Sequence, residues 1–230
     1  MSHPHLHVRR TEPGDIPAIV ALSTRIYGAA AAWQPSMLAS HLEVFPEGQF
    51  VALVPTPEGE RIAGMAASLV LRWDDYDLSD TWRDFTDHGM FTNHDPAGRT
   101  LYGAEVMSDP DRRGQGVGSA LYNARRRLVN QLGLLRIRAG ARLRGYHRVA
   151  ETMSAEAYVT EVVTGTRRDP TLSFQLRRGF RVLGVVEGYL RRDPESLGWA
   201  AVIEWLNADI ATDADREPQR GWRRRVGLEH

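Results

Sequence analysis

The stretch from Leu101 to Leu132 restricts the fold more than any other part of the chain. An apolar run, Leu101-Tyr102-Gly103-Ala104-Glu105-Val106-Met107, meets a charged turn, Ser108-Asp109-Pro110-Asp111-Arg112, and then Arg113-Gly114-Gln115-Gly116-Val117-Gly118-Ser119. Glycines alternating at the start of a helix let the backbone come close to a ligand. Val117, Ala120, Leu121, Ala124, Leu128 and Leu132 then recur at the 3.6-residue period of a buried helical stripe. Asn123, Arg125, Arg126, Arg127 and Asn130 fall elsewhere, and Gly133 supplies a stop. The order predicted is strand, turn, helix. A glycine-rich turn feeding a helix offers unpaired N–H groups and the positive end of the helix dipole, which together make an anion site. Arg112 and Arg113 add charge to it. The spacing is G-x-G-x-G rather than a dinucleotide fingerprint, and a Walker-type lysine is excluded because the chain contains no lysine.

The residues from Asp109 to Gly118 resemble the acyl-CoA pyrophosphate loop of the GNAT superfamily of N-acetyltransferases, whose pattern is R/Q-x-x-G-x-G/A. The resemblance implies an α/β (α+β) GNAT fold. That fold has a central mixed, mostly antiparallel sheet of about seven strands, splayed at strands 4 and 5 and flanked by helices. It also implies acetyl-CoA as the acyl-donor cosubstrate, with no metal. By the same resemblance Arg112, Arg113, Gly114, Gln115, Gly116, Val117, Gly118 and Ser119 would hold the pyrophosphate. Backbone N–H groups near Met107 and Ser108 would polarise the thioester, and Ser173 and Phe174 would border the donor.

The rest of the chain reads in the same order as that fold. A short strand, Leu6 to Arg10, precedes a helix through Ile16, Ile19, Val20, Leu22, Ile26 and Tyr27, and a second short helix ends near Phe45. Gln49 to Pro55 and Arg61 to Arg72 read as a hairpin joined by Pro57-Glu58-Gly59-Glu60. Leu135, Ile137 and Ala139 alternate with arginines as a strand, a helix runs from Met153 to Gly165, and Asp169-Pro170 opens a short helix to Arg178. Phe180 to Leu190 and Trp199 to Leu206 are the last strands. The pattern Gly140-x-Arg142-x-x-Gly145-Tyr146 and Asp169-Pro170-x-Leu172-Ser173-Phe174-Gln175-Leu176 resembles the acetyltransferase modules that occur fused to nitrilase-type amidases. No amidase sequence is read in these 230 residues.

Two segments resist this scheme. From Trp73 to Thr100 periodicity breaks down into an acidic, aromatic run containing Asp74, Asp75, Asp77, Asp80, Trp82 and Asp84. So long a loop in a compact domain is usually functional, and it is expected to form a lid that draws a cationic amine. Residues 208–230 read as a polar, arginine-rich tail beyond a domain at 1–207, without fixed structure, the other reading being a partner or nucleic-acid arm. Leu228-Glu229-His230 resembles the scar of a truncated tag. His3, His5 and His7, and likewise His88 and His94, lack a metal-ligand spacing and are read as solvated or structural.

Zero formal net charge gives no field to recruit nucleic acid, and no apolar run reaches membrane-spanning length. With zero cysteines and no secretory signal, a cytoplasmic location is expected, and a cysteine nucleophile is excluded. A homodimer is compatible with the sequence. Acyl transfer must then be direct, from a thioester to a small-molecule or peptide amine that has to be deprotonated first. Glu105 aligns with the strand carboxylate that serves as base in many GNAT enzymes. The tyrosine that commonly protonates the thiolate stands four residues before a glycine, and here Gln175 precedes Gly179. Tyr146 and Tyr158 are the replacement candidates. The rival reading is a non-catalytic acyl-CoA-binding sensor or partner module, which would need the same loop.

Overall fold

The computed structural model describes residues 6–57 and 59–228. His3, His5, Glu58, Glu229 and His230 lie outside them. Seven strands form one sheet: β1 (His7–Arg10), β2 (Phe50–Thr56), β3 (Gly59–Leu71), β4 (Thr100–Ser108), β5 (Arg136–Arg142), β6 (Arg181–Val186) and β7 (Ala200–Leu206). Their order is β1-β2-β3-β4-β5-β7-β6, and every neighbouring pair is antiparallel except β4 with β5. That parallel pair joins at Thr100↔Arg136, Leu101↔Ile137 and Tyr102↔Arg138. Beyond Tyr102 the two strands part. A bulge in the β3–β4 ladder between Ala67 and Ser68 coincides with the parting, as expected of an extra residue that bends and twists its strand.

Helices cover both faces. α4 (Val117–Gln131), α5 (Ala155–Thr164), α6 (Leu172–Arg177) and α7 (Glu217–Arg225) cover one face, where Leu101, Leu121, Leu128, Ile137 and Phe180 are buried. α1 (Ile16–Tyr27), α2 (Pro35–Val44) and α3 (Trp82–Phe85) cover the other, over Val51, Met65, Leu69 and Val202. The stripe of α4 buries Val117, Leu121, Ala124 and Leu128 as its period requires, but Leu132 is 45% exposed. The helix ends at Gln131, so Leu132 lies past its last turn. Arg125, expected on the solvent side, is instead 1% exposed. Its Nε donates to Ser68 Oγ at 2.8 Å and its Nη2 to Ala67 O at 2.7 Å and to Glu105 O, so the cation closes the open carbonyls of the bulge.

Both unassigned segments are folded. In residues 73–98 the aspartates are spent on local turns: Asp84 forms a reciprocal capping box with Thr81, Asp77 accepts from Ser79, and Asp95 pairs with Arg72. The aromatic residues point inward, with Phe85 stacked on Trp73 and Tyr102. His94 Nδ1 accepts from Val70 N–H and His88 Nδ1 from Arg83. The lid reading is therefore corrected: what meets the body of the protein here is aromatic, and Asp74, Asp75, Asp77 and Asp84 are exposed.

The structureless-tail reading is corrected as well. α7 packs on β6 through Trp222, which is 1% exposed, while Gln219 Nε2 donates to Glu204 Oε1 at 2.9 Å and Arg225 Nη2 to Leu183 O at 3.3 Å. One large aromatic among arginines suffices because burial of a tryptophan removes much apolar surface at once. Glu204 is itself fully buried and held by Arg138 Nε at 2.7 Å, so Gln219 completes a satisfied polar network.

Candidate active site

The parting of β4 from β5 opens a cleft whose two ends differ in chemistry. Glu105 stands half-buried on β4, beyond the last β4–β5 pair. Tyr27, the last residue of α1, donates its hydroxyl to Glu105 Oε1 at 3.0 Å. Burial pushes the Glu105 pKa above the ordinary carboxylate value, and hydrogen bonds from Tyr27 and Trp33 and the charges of Arg125 and Arg142 only partly oppose it. Trp82 Nε1 donates to Ala104 O at 3.0 Å, one residue away, and the Trp82 ring meets Trp33 edge-on at 5.6 Å. Across the cleft the Tyr189 ring seats itself on β5 at Gly140, where a Cβ would lie 2.0 Å from the ring, and its hydroxyl bonds that of Tyr102 on β4.

In an antiparallel ladder successive N–H groups point to opposite sides. The Asp109 N–H goes to Ala63 O on β3, so that of Ser108 faces the side β5 has left, and that of Met107 faces β3. Of the two amides expected to polarise a carbonyl, Ser108 is thus the one turned to the cleft.

The open end is the glycine loop. Asp109 is buried and fixed by Arg25 Nη2 at 2.8 Å from α1 and Arg61 Nη2 at 2.9 Å from β3, which sets the chain's exit from β4. Gly114 (φ +79°) and Gly116 (φ +87°) take the left-handed backbone that brings N–H groups round to the N-terminus of α4. A Cβ at Gly114 would meet nothing within 4 Å and one at Gly116 only Leu6, so the loop is open to a ligand. Arg112 Nη1 reaches Gln115 Oε1 at 3.4 Å, whereas Arg113 lines a cavity of about 490 Å³ with Arg144, Arg148, Arg167, Arg168 and Tyr158. Glu195 lines it too and holds Arg144 at 2.8 Å, as Glu161 holds Arg167 at 2.7 Å, which leaves the guanidinium groups of Arg113, Arg148 and Arg168 to meet a diphosphate. Phe174 packs its Cζ 3.1 Å from where a Gly118 Cβ would stand, at the start of α4. Ser173 does not: its Oγ accepts from Asp169 N–H at 2.9 Å and it faces a different cavity.

The remaining predicted residues are engaged elsewhere. Tyr146 hydroxyl donates to Met153 O at 3.0 Å, and Tyr158 hydroxyl to Asp169 Oδ2 at 2.9 Å, where burial and the carboxylate raise its pKa. Both protons are committed to internal acceptors, which corrects their assignment as free acids. Gln175 Nε2 donates to Tyr122 hydroxyl at 2.9 Å. Tyr27, Trp33, Trp82, Tyr102 and Tyr189 went unassigned in the sequence. Only Tyr27, last on an amphipathic helix, carried any local signal.

No family model matches the chain. It is 42% identical over 202 residues to the probable hydrolase YhcX of Bacillus subtilis strain 168, covering 88% of this chain and 39% of that one. It is 37% identical over 175 residues to the uncharacterized N-acetyltransferase YkwB of the same organism, covering 76% of this chain and 75% of that one. The chain belongs to the GNAT N-acetyltransferases. It thus spans well under half of one relative and three quarters of the other. Among solved structures, the GNAT-like decarboxylase GphF in complex with isobutyryl-CoA superposes at TM-score 0.69 and 23% identity, covering 87% of this chain and 98% of that one. At that identity the likeness establishes the fold. The ligand of that neighbour is an acyl-CoA.

Proposed function

We propose that this GNAT protein is an acyl-CoA-dependent N-acyltransferase that moves an acetyl group directly from the thioester to a small-molecule or peptide amine in the cytoplasm. The observation that carries the reading is Glu105: a half-buried carboxylate on β4, hydrogen-bonded by Tyr27 and with its pKa raised by burial. An alkylammonium acceptor with pKa near 10.4 gives up a proton at pH 7 at a cost of about 4–5 kcal/mol. A carboxylate shifted upward is a stronger base, and a positioned one contributes roughly 100-fold or more. Glu105 would take the ammonium proton, directly or through one water. The nitrogen then forms its bond to the carbonyl carbon, the C–S bond breaks, and the second nitrogen proton ends on the departing sulfur. Ser108 N–H would hold the carbonyl oxygen as charge develops, and Arg113 with residues 114–119 would hold the diphosphate. With Tyr146 and Tyr158 committed, the thiolate leaves unassisted or with water, which a thiol pKa near 8.5 permits.

A non-catalytic acyl-CoA-binding module would need the loop but not a base with a raised pKa. Thiol release from acetyl-CoA against a broad amine panel, with mass spectrometry of the products, separates the two. Amine-dependent release and an acetylated amine are expected. Donor binding without release under any amine would establish the binding module instead.

A further inference from the structure

A second cavity, of about 760 Å³, lies behind α6, between α5, β6 and α7, and contains none of the residues from Ser108 to Ser119. Every charged group in its wall is an arginine: Arg167, Arg168, Arg177, Arg181 and Arg223. Arg167 is paired with Glu161, Arg181 Nη1 donates to Phe180 O, and Arg223 Nη2 donates to Leu228 O. Arg168 and Arg177 have no hydrogen bond or ion pair among the described residues. The floor is apolar, built from Val162, Leu176, Val182 and Trp222. The Trp222 Nε1–H is buried with no acceptor among the described residues. Like charges gathered around one hollow raise each other's energy, and an anion that enters relieves the repulsion. Guanidinium forks match phosphate oxygens, while an apolar floor favours a ligand with a ring or hydrocarbon body. The volume suits a small molecule. Of the arginines around Trp222, which the transfer reaction leaves unused, Arg223 lines this hollow.

We infer that this cavity is a second ligand site, separate from the glycine loop, which takes a phosphorylated small molecule with an aromatic or aliphatic body. Two of its arginines, Arg167 and Arg168, also line the cleft beside Arg113, so an occupant would lie next to the donor without sharing the loop.

The test is calorimetric titration of the full chain with 1-naphthyl phosphate, first alone and then with saturating CoA. One equivalent is expected to bind in both, and binding is expected to weaken about tenfold or more in Arg177→Glu/Arg181→Glu while CoA affinity holds. These side chains are exposed, and a melting curve checks the variant; Arg177→Gln gives the same reading without charge reversal. Inorganic phosphate is expected to bind about tenfold more weakly, lacking a body for the floor. Loss of naphthyl phosphate binding when CoA is present, or a parallel loss of CoA affinity in the variants, would make the cavity part of the donor site and overturn the inference. So would naphthyl phosphate binding that ignores both variants, or inorganic phosphate binding as tightly. Arg177 and Arg181 line this cavity and not the one beside Arg113, so their variants read it with or without CoA, and failure of CoA to bind at all would count against the loop assignment and not against this one.

Discussion

The two ends of the cleft between β4 and β5 handle charge in opposite ways. At the Glu105 end one half-buried carboxylate is hydrogen-bonded by Tyr27 and Trp33, and burial lifts its pKa. At the loop end Arg113, Arg144, Arg148, Arg167 and Arg168 line one cavity, and Arg113 and Arg168 are exposed. Burial makes a single charge chemically active, whereas a cluster of wet charges makes a binding surface that salt screens. On the proposed reading chemistry and affinity belong to different residues, and substitutions at each end should separate kcat from donor affinity.

The largest effect is expected at the buried end. Glu105→Gln should lower kcat by roughly 100-fold or more while leaving CoA affinity unchanged, because the amide keeps the shape but cannot accept the ammonium proton. In the wild type, kcat/KM should fall on the acid side at a pH above the ordinary glutamate value of about 4.3, since a raised pKa means the base is protonated earlier as pH drops. A pH profile of initial rates decides this, and a limb at or below that value would mean Glu105 is not the base. Stability should move the other way. A carboxyl whose folded pKa is raised favours the fold when protonated, and that advantage is lost as pH rises through the folded pKa. At pH 7 the ionised Glu105 therefore costs stability, and Glu105→Gln should melt higher, by about 2–4 °C for each kcal/mol relieved, with the gain vanishing near pH 4. Calorimetric scans at the two pH values test the sign.

At the loop end, Gly116→Asp should weaken CoA binding by about tenfold or more without touching the base, since it puts a negative side chain beside the diphosphate. Strain adds to the effect, because Gly116 sits at φ +87°. Wild-type CoA affinity should also fall as salt rises from low to physiological concentration, the mark of exposed rather than buried cations. Equal affinities for variant and wild type by titration would remove the loop from the donor site.

How far the sequence foretold these two ends follows from their physics. The loop end was legible because its chemistry is local: glycine at positive φ, a helix start and adjacent arginines are contiguous in the chain. The aromatic end was not, because Tyr27 and Trp33, which bond Glu105, and Trp82, which bonds Ala104 beside it, come from separate segments that only the fold brings together. The strands were predicted in order because their alternation is strong, though β5 continues to Arg142, past the alternation of Leu135, Ile137 and Ala139. Segment 73–98 and α7 were missed for one shared reason. Their apolar residues are few and aromatic, so burial rests on single large rings such as Phe85 and Trp222 rather than on a repeating stripe.

The smallest effects are expected at Tyr146 and Tyr158, the second of which lines the arginine cavity. Tyr146 and Tyr158 stand edge to face at 5.6 Å, and each hydroxyl proton already has an acceptor, Met153 O and Asp169 Oδ2. Asp169 keeps its other donors when Tyr158 is replaced: Gly145 N–H on Oδ2 and the N–H groups of Thr171 and Leu172 on Oδ1, so the connection to α6 survives. Phenylalanine at either position should cost about 1 kcal/mol, one net hydrogen bond, and lower the melting temperature by a few degrees. Acetyl transfer at saturating donor should stay within about twofold across the pH range, far short of the roughly 100-fold that general acid catalysis supplies. A large rate loss in Tyr158→Phe confined to high pH would mean that this hydroxyl leaves Asp169 to protonate the thiolate. The contrast between a reactive buried end and a merely binding open end would then have to admit a second reactive group on the arginine side.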